Sequence, residues 1–282
     1  MILVTGATGK TGSRVAAQLL ERGFDVRAQI HDAAKADQVP ADAGIVVAAF
    51  EEPDAWDAAV SGCEAIYLVS AAGPDQRRQE SSVIDAAVRA GTGPRVVKVG
   101  AMGLDDPAAG RIPVQHARIR DDLAASGLPW TVLALSQLMD NLFLYTQPVT
   151  EMGILPVPAG DALIAWVDPD DVAAVAVAAL TMPGHAGRTY DVTGPEALHH
   201  TEVADRLGTA FGRQVSYVDV APEDAIAGMV AAGVPEWVAA GVTETNAWYA
   251  AGGAAEPTDV VATVAGRTPA TMADFLTRRL TT

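Results

Sequence analysis

The stretch Ile2-Leu3-Val4-Thr5-Gly6-Ala7-Thr8-Gly9-Lys10-Thr11-Gly12 runs from a short apolar segment into three glycines. Directly behind it, Ser13–Arg22 puts Val15, Leu19 and Leu20 on one helical face. Gly23 then ends the helix as a C-terminal cap does. Strand, glycine turn and helix in that order form the entry of a dinucleotide-binding unit. Gly6 permits the tight turn, Gly9 lets the backbone approach a pyrophosphate, and Gly12 lets the helix pack on the sheet. The helix N-terminus then faces the phosphates. The spacing is G-x-x-G-x-x-G, not G-x-G-x-x-G, and a glycine turn without a ligand is the plain alternative.

Outward from this unit the first half keeps alternating. Val26–Ile30 and Gly44–Ala48 read as strands, and Ala55–Val60 as a short helix. Ala65–Val69 is a strand, Gln79–Ala90 a helix, Arg95–Val99 a strand, Ala117–Ala125 a helix and Trp130–Leu135 a sixth strand. The strands are apolar throughout, and no two-residue hairpin signal joins them. The pattern predicts an α/β fold, a Rossmann-type doubly wound parallel sheet covered on both faces.

The second half differs. Pro148, Pro156, Pro158 and Gly160 break the chain into loop. Ala162–Val167 then reads as a strand, Pro169–Thr181 as a helix and Tyr190–Val192 as extended. Thr201–Gly212 is a helix with Thr201 as its N-cap, and Val215–Val220 a strand. The remainder is mostly helical, with a loop at Ala250–Ala255 and a final helix over Thr268–Arg279. The expected division is a nucleotide-binding domain over 1–140 and a smaller, mainly substrate-binding α/β domain over 141–282, with parts of 160–195 returning to the first sheet.

The 282 residues carry 19 Lys and Arg against 35 Asp and Glu, a formal charge of −16. That field repels phosphate backbones and anionic lipid, so neither nucleic acid nor membrane is an expected partner. Val172–Leu180, the longest strongly apolar run, is far short of the roughly 20 residues a spanning helix needs. Cys63 is the only cysteine, so no internal disulfide or cysteine-rich metal site forms, and no metal is expected. With no targeting segment visible, the expected compartment is the cytoplasm.

Several stretches together resemble one family. They are the glycine motif, Ser126-Gly127-Leu128-Pro129-Trp130-Thr131, Met139-Asp140-Asn141, Trp166-Val167-Asp168-Pro169-Asp170-Asp171-Val172, and Thr189-Tyr190-Asp191-Val192-Thr193-Gly194-Pro195-Glu196-Ala197-Leu198. The chain is similar nearly end to end to the NmrA-like atypical short-chain dehydrogenases/reductases. Within them it is nearest the NAD(P)H:quinone oxidoreductase 2-like and triphenylmethane-reductase-like subgroup. The resemblance implies NADP as cofactor, with NAD as the alternative, and reduction of a quinone-like or polycyclic aromatic small molecule, with a homodimer as a possible assembly. It places the cofactor against Gly6, Thr8, Gly9, Lys10, Thr11, Gly12, His31, Phe50, Ser70, Ala71 and Gly100. Gln137, Met139 and Asn141 follow the sixth strand, at the carboxyl ends of the sheet where ligands of such folds bind, with ordinary loop packing as the alternative. Met102 is expected beside the same substrate, and Trp166 lines an aromatic pocket there unless it is core.

The chain also departs from the family. Where the family has an Arg for the adenosine 2′-phosphate, this chain has His31, followed by Asp32, which could instead accept from a ribose 2′-OH. Lys10, Arg14 or Lys35 could supply the charge. Ala49 and Phe50 replace an Asp near the adenine. Gly100 stands where short-chain dehydrogenases place a catalytic Ser, opening space for a broad, flat ligand. No Tyr-x-x-x-Lys occurs. The remaining candidate proton donor is His116, at the start of a helix, unless it only hydrogen-bonds a loop carbonyl.

Other residues read as structural. Asp168-Pro169-Asp170-Asp171 is an N-cap with an acidic first turn. His199-His200 reads as a surface turn, and Gln76-Arg77-Arg78-Gln79 as a solvated helix face. Two other functions stay open: a non-catalytic dinucleotide-sensing regulator, and an aromatic polyketide tailoring enzyme that reuses the fold for oxidation, coupling or cyclisation.

Overall fold

A computed structural model describes residues 1–50 and 52–280. The elements of the first half follow the alternation of the sequence. They are β1 (Ile2–Val4), α1 (Gly12–Glu21), β2 (Val26–Ile30), β3 (Gly44–Val47), α2 (Pro53–Val60) and β4 (Ala65–Leu68). Next come α3 (Gln76–Arg89), β5 (Arg95–Ala101), α4 (Arg111–Ala125) and β6 (Trp130–Leu135). The later elements are β7 (Ile154–Pro156), β8 (Leu163–Ile164), α5 (Pro169–Thr181), β9 (Arg188–Val192), β10 (Leu198–His199) and α6 (His200–Phe211). The chain ends in β11 (Ser216–Val218), α7 (Pro222–Ala231), α8 (Glu236–Ala250), α9 (Val260–Ala265) and α10 (Met272–Leu280).

The chain divides into two compact units. The first comprises residues 1–100, 115–134 and 172–190. Its sheet has the order β3-β2-β1-β4-β5-β6-β9, with β1 between β2 and β4 and parallel to both. The reversal of direction between the β1–β2–β3 and β4–β5–β6 halves makes the carboxyl end of β1 the switch point of a doubly wound sheet. Leu3, Ile66 and Leu68 are wholly buried with Trp56, Ile119 and Leu123 in one cluster. Burying an aliphatic side chain of that size contributes about 2 kcal/mol. At the open edge, β3 keeps Ile45 and Val47 exposed. Cys63 is buried, and burial pushes its thiol up.

The second unit comprises residues 101–114, 135–171 and 191–282. It holds two small sheets, β7 with β11 in parallel and β8 with β10 antiparallel. The expected strand over Ala162–Val167 shrinks to the two residues of β8. Beyond them, Val167 instead pairs with Gln137, its N–H donating to that carbonyl at 2.9 Å. The N-cap of α6 is His199 and not Thr201. The Glu202 carboxylate accepts the His199 backbone N–H at 2.9 Å, which moves the start of the helix two residues earlier. The last helix starts at Met272, four residues later than expected, because Thr271 and Asp274 hydrogen-bond each other across its first turn. No helix among the described residues is long and apolar enough to cross a membrane.

Candidate active site

The glycine turn is built by close approach. Gly6 adopts a left-handed φ of +56°, and a Cβ on Gly12 would lie 2.2 Å from the Gly6 carbonyl oxygen. Only glycine lets α1 sit that near the end of β1. The Gly9 N–H donates to Gly6 O at 2.8 Å, and Gly9 and Lys10 form the exposed tip. Beneath the turn lies Gln29, 2% exposed near the carboxyl end of β2. Its Oε1 accepts the Gly6 N–H at 3.1 Å, and its Nε2 donates to Ala48 O at 2.7 Å. One amide side chain thus ties the turn to the end of β3. An exposed glycine tip at a helix N-terminus, with Lys10 exposed on it and Thr8 beside it, is the kind of place where backbone N–H groups are free to meet an anion.

The other expected cofactor residues lie after neighbouring strands of the same unit. His31 is exposed at the end of β2. The Asp32 carboxylate accepts the Ala34 N–H at 2.9 Å and starts a short 3-10 segment that carries Lys35. Phe50 stacks on Trp56 with ring centroids 5.1 Å apart. Ala71 is exposed after β4, whereas the Ser70 hydroxyl turns inward and donates to Glu80 Oε1 at 2.9 Å. Gly100 does not open space as the sequence suggested. A Cβ there would meet Val132 Cγ1 at 3.2 Å, with Leu133 O at 3.6 Å, so the room belongs to β6.

His116 lies in the second turn of α4, not at its start, because the helix begins at Arg111 and takes Pro113 into its first turn. Its Nδ1 sits 3.0 Å from Lys98 Nζ, and among the described residues no loop carbonyl bonds to it. Lys98 has no exposed surface. Its ammonium lies 2.8 Å from Glu80 Oε2, a carboxylate that is equally buried, and donates to Val99 O at 2.5 Å. Gln76 Nε2 donates to Glu80 Oε1 at 3.0 Å. Gln76 is therefore an inward residue, and only its neighbours Arg77 and Arg78 face solvent. Burial lowers Lys98, opposed by the Glu80 charge. Burial, then the Lys98 charge, holds His116 well below its ordinary value. This cluster went unread in the sequence. The signal was there, however: Lys98 stands alone among the valines of Val96-Val97-Lys98-Val99, so its charge must be met inside.

In the second unit the expected substrate residues divide. Met139 is wholly buried and Trp166 is 3% exposed. Both lie beneath Gly194, where a Cβ would come 1.9 Å from Trp166 O. Gln137 and Asn141 are half-buried, and Met102 is 9% exposed. Asp168 receives the Arg278 guanidinium and also caps α5, its Oδ1 accepting the Asp170 N–H at 2.8 Å. The His199-His200 pair is not a surface turn. His200 is 2% exposed and packs against Trp166 and Tyr217. Two adjacent residues at a strand-to-helix junction point in different directions, and only the second points inward. Among the described residues no cluster of three or more His, Cys, Asp or Glu could hold a metal ion.

Residues 6–183 match a family model described as NAD(P)H-binding. The NAD(P)H azoreductase of Xenophilus azovorans is 38% identical over 281 residues, covering 98% of this chain and 96% of that protein. The Escherichia coli NADPH-dependent quinone oxidoreductase 2 complexed with NADPH shares the fold with a TM-score of 0.88 at 25% identity, over 99% of each chain. The Citrobacter sp. triphenylmethane reductase complexed with NADP(H) has a TM-score of 0.84 at 22% identity, again over 99% of each chain.

Proposed function

Since the chain belongs to the NAD(P)H-binding family, as an oxidoreductase of the NmrA-like atypical short-chain type, we propose that it reduces flat conjugated acceptors of the quinone or dye class, with NADPH as the preferred donor. The observation that carries the reading is the glycine turn. Its left-handed Gly6 and obligatory Gly12 shape the end of β1 for a pyrophosphate, and this is the feature the family model spans.

The bound nicotinamide supplies a hydride. The chain's residues do the rest. The Gly6–Gly12 turn and the start of α1 hold the phosphates. His31, with Lys10, Arg14 or Lys35, meets the 2′-phosphate. Phe50, Ala71 and Gly100 give the cofactor apolar and backbone surface. A quinone that gains a hydride becomes an oxyanion, and His116 hands it a proton. Its Nδ1 faces the Lys98 ammonium, a donor, so the neutral ring carries its proton on Nε2. No Ser or Tyr-x-x-x-Lys is needed, because a conjugated acceptor spreads the incoming charge itself.

The test is loss of reduced-nicotinamide absorbance with NADPH and NADH against a panel of quinones, azo dyes and triarylmethane dyes. Turnover on at least one class, with tighter binding of NADPH, is expected. No turnover on any class, with no NAD(P) affinity by calorimetry, would overturn the reading.

A further inference from the structure

The Lys98 ammonium has three protons and three acceptors around it: Glu80 Oε2 at 2.8 Å, Val99 O at 2.5 Å and His116 Nδ1 at 3.0 Å. Glu80 in turn receives Ser70 and Gln76 on its other oxygen. The adjoining strands add no charge: Leu68 of β4 lies opposite Lys98 in register, and β6 carries no ionisable side chain. A buried Lys–Glu pair is a poor source of stability, since apolar residues of the same volume often do as well or better. What it does provide is an ammonium proton held against an imidazole.

That proton answers a chemical difficulty. A ring held neutral is a very weak acid, because giving up its only N–H would leave an imidazolate in a buried place. We propose that Lys98 is the proton source of the site, a positioning residue that acts through His116. As the Nε2–H bond breaks and the product O–H bond forms, an Nζ–H bond of Lys98 breaks and Nδ1–H forms. The imidazole stays neutral throughout and only exchanges tautomers. The oxyanion and the ammonium are the two charges that vanish, and Glu80 remains a carboxylate. After product leaves, a proton from water passes back through the ring to restore the ammonium. The inference rests on the reading that His116 meets the acceptor.

Two measurements test it, one without turnover. In the cofactor-free protein, ¹⁵N chemical shifts of His116 should show the Nε2–H tautomer. The Lys98→Met/Glu80→Gln variant, which removes both buried charges together, should show a mixture. An Nδ1–H tautomer in the wild type overturns the proposal whatever the enzyme reduces. The second measurement compares acceptors. A quinone or azo dye needs a proton after hydride transfer, but a cationic triarylmethane dye is neutralised by the hydride alone. The double variant should lose about 10²-fold in kcat on the quinone, with its NADPH Kd held and only a few-fold loss on the cationic dye. Its quinone kcat should no longer show the fall at high pH that marks loss of the Lys98 proton. Adding His116→Asn should lower the quinone rate no further. Equal losses on both acceptors would mean that the cluster only supports the fold, and no loss on the quinone would mean that it supplies no proton. If no acceptor is turned over, the functional reading fails, and the tautomer alone decides whether Lys98 governs the ring.

Discussion

The imidazole of His200 lies against the phenol ring of Tyr217, with centroids 5.2 Å apart and planes 28° apart, and Trp166 closes its edge at 5.6 Å. Burial, partly offset by the Asp219 charge, holds His200 down to about 4. Its folded value is below the unfolded value near 6.5, so between the two the unfolded chain binds more protons. Stability is full above pH 6.5 and falls as pH drops toward 4. At 1.36 kcal/mol per unit, the loss from this group approaches about 3 kcal/mol. Denaturant unfolding across that range should show it, and His200→Phe should flatten the slope relative to wild type. An unchanged slope would assign the acid sensitivity elsewhere.

Gly9→Val and Gly12→Ala should fail in different ways. Gly9 is at the exposed tip, and its Cβ would lie 3.1 Å from Gly6 O, so a side chain there blocks the pyrophosphate and strains the tip only locally. Calorimetry should show NADPH affinity reduced by at least ~10²-fold, with a much smaller fall in melting temperature than for Gly12→Ala. At Gly12 the added Cβ meets backbone at 2.2 Å. The turn must deform, so thermal stability and affinity should fall together.

His31→Arg should favour NADPH over NADH. A guanidinium can engage a 2′-phosphate in two hydrogen bonds. Dissociation constants should shift by roughly tenfold for NADPH, with little change for NADH. Equal shifts for both nucleotides would show that residue 31 does not meet the 2′-phosphate.

Asp171→Ala should cost about 2 kcal/mol of unfolding free energy. The carboxylate is buried, accepts the Ala270 N–H at 2.7 Å and lies 3.1 Å from Arg267. Its loss leaves that N–H without a partner inside the second unit. Chemical denaturation measures the cost, and NADPH affinity should not move.

The first half of the chain was legible because a strand buried on both faces reads as an unbroken apolar run and its helices keep one apolar face. The glycine turn was legible for a similar reason, since its three glycines mark backbone geometry directly. Gln29, Glu80 and Lys98 were not. Each is a polar residue inside a regular element, and sequence period shows which face a residue takes but not which partner meets it there. Gly100 misled for the opposite reason: the missing side chain was read as open space, when neighbouring Val132 fills it. His200 misled because two adjacent identical residues look alike in sequence, yet a turn into α6 sends them to different surroundings.

Gln29 holds the Gly6 N–H and the Ala48 carbonyl at once. The conformational entropy of the turn at Gly6 is therefore given up when the chain folds, before any nucleotide arrives. Association meets a turn already held at Gly6, so less ordering is left to be taken out of the affinity.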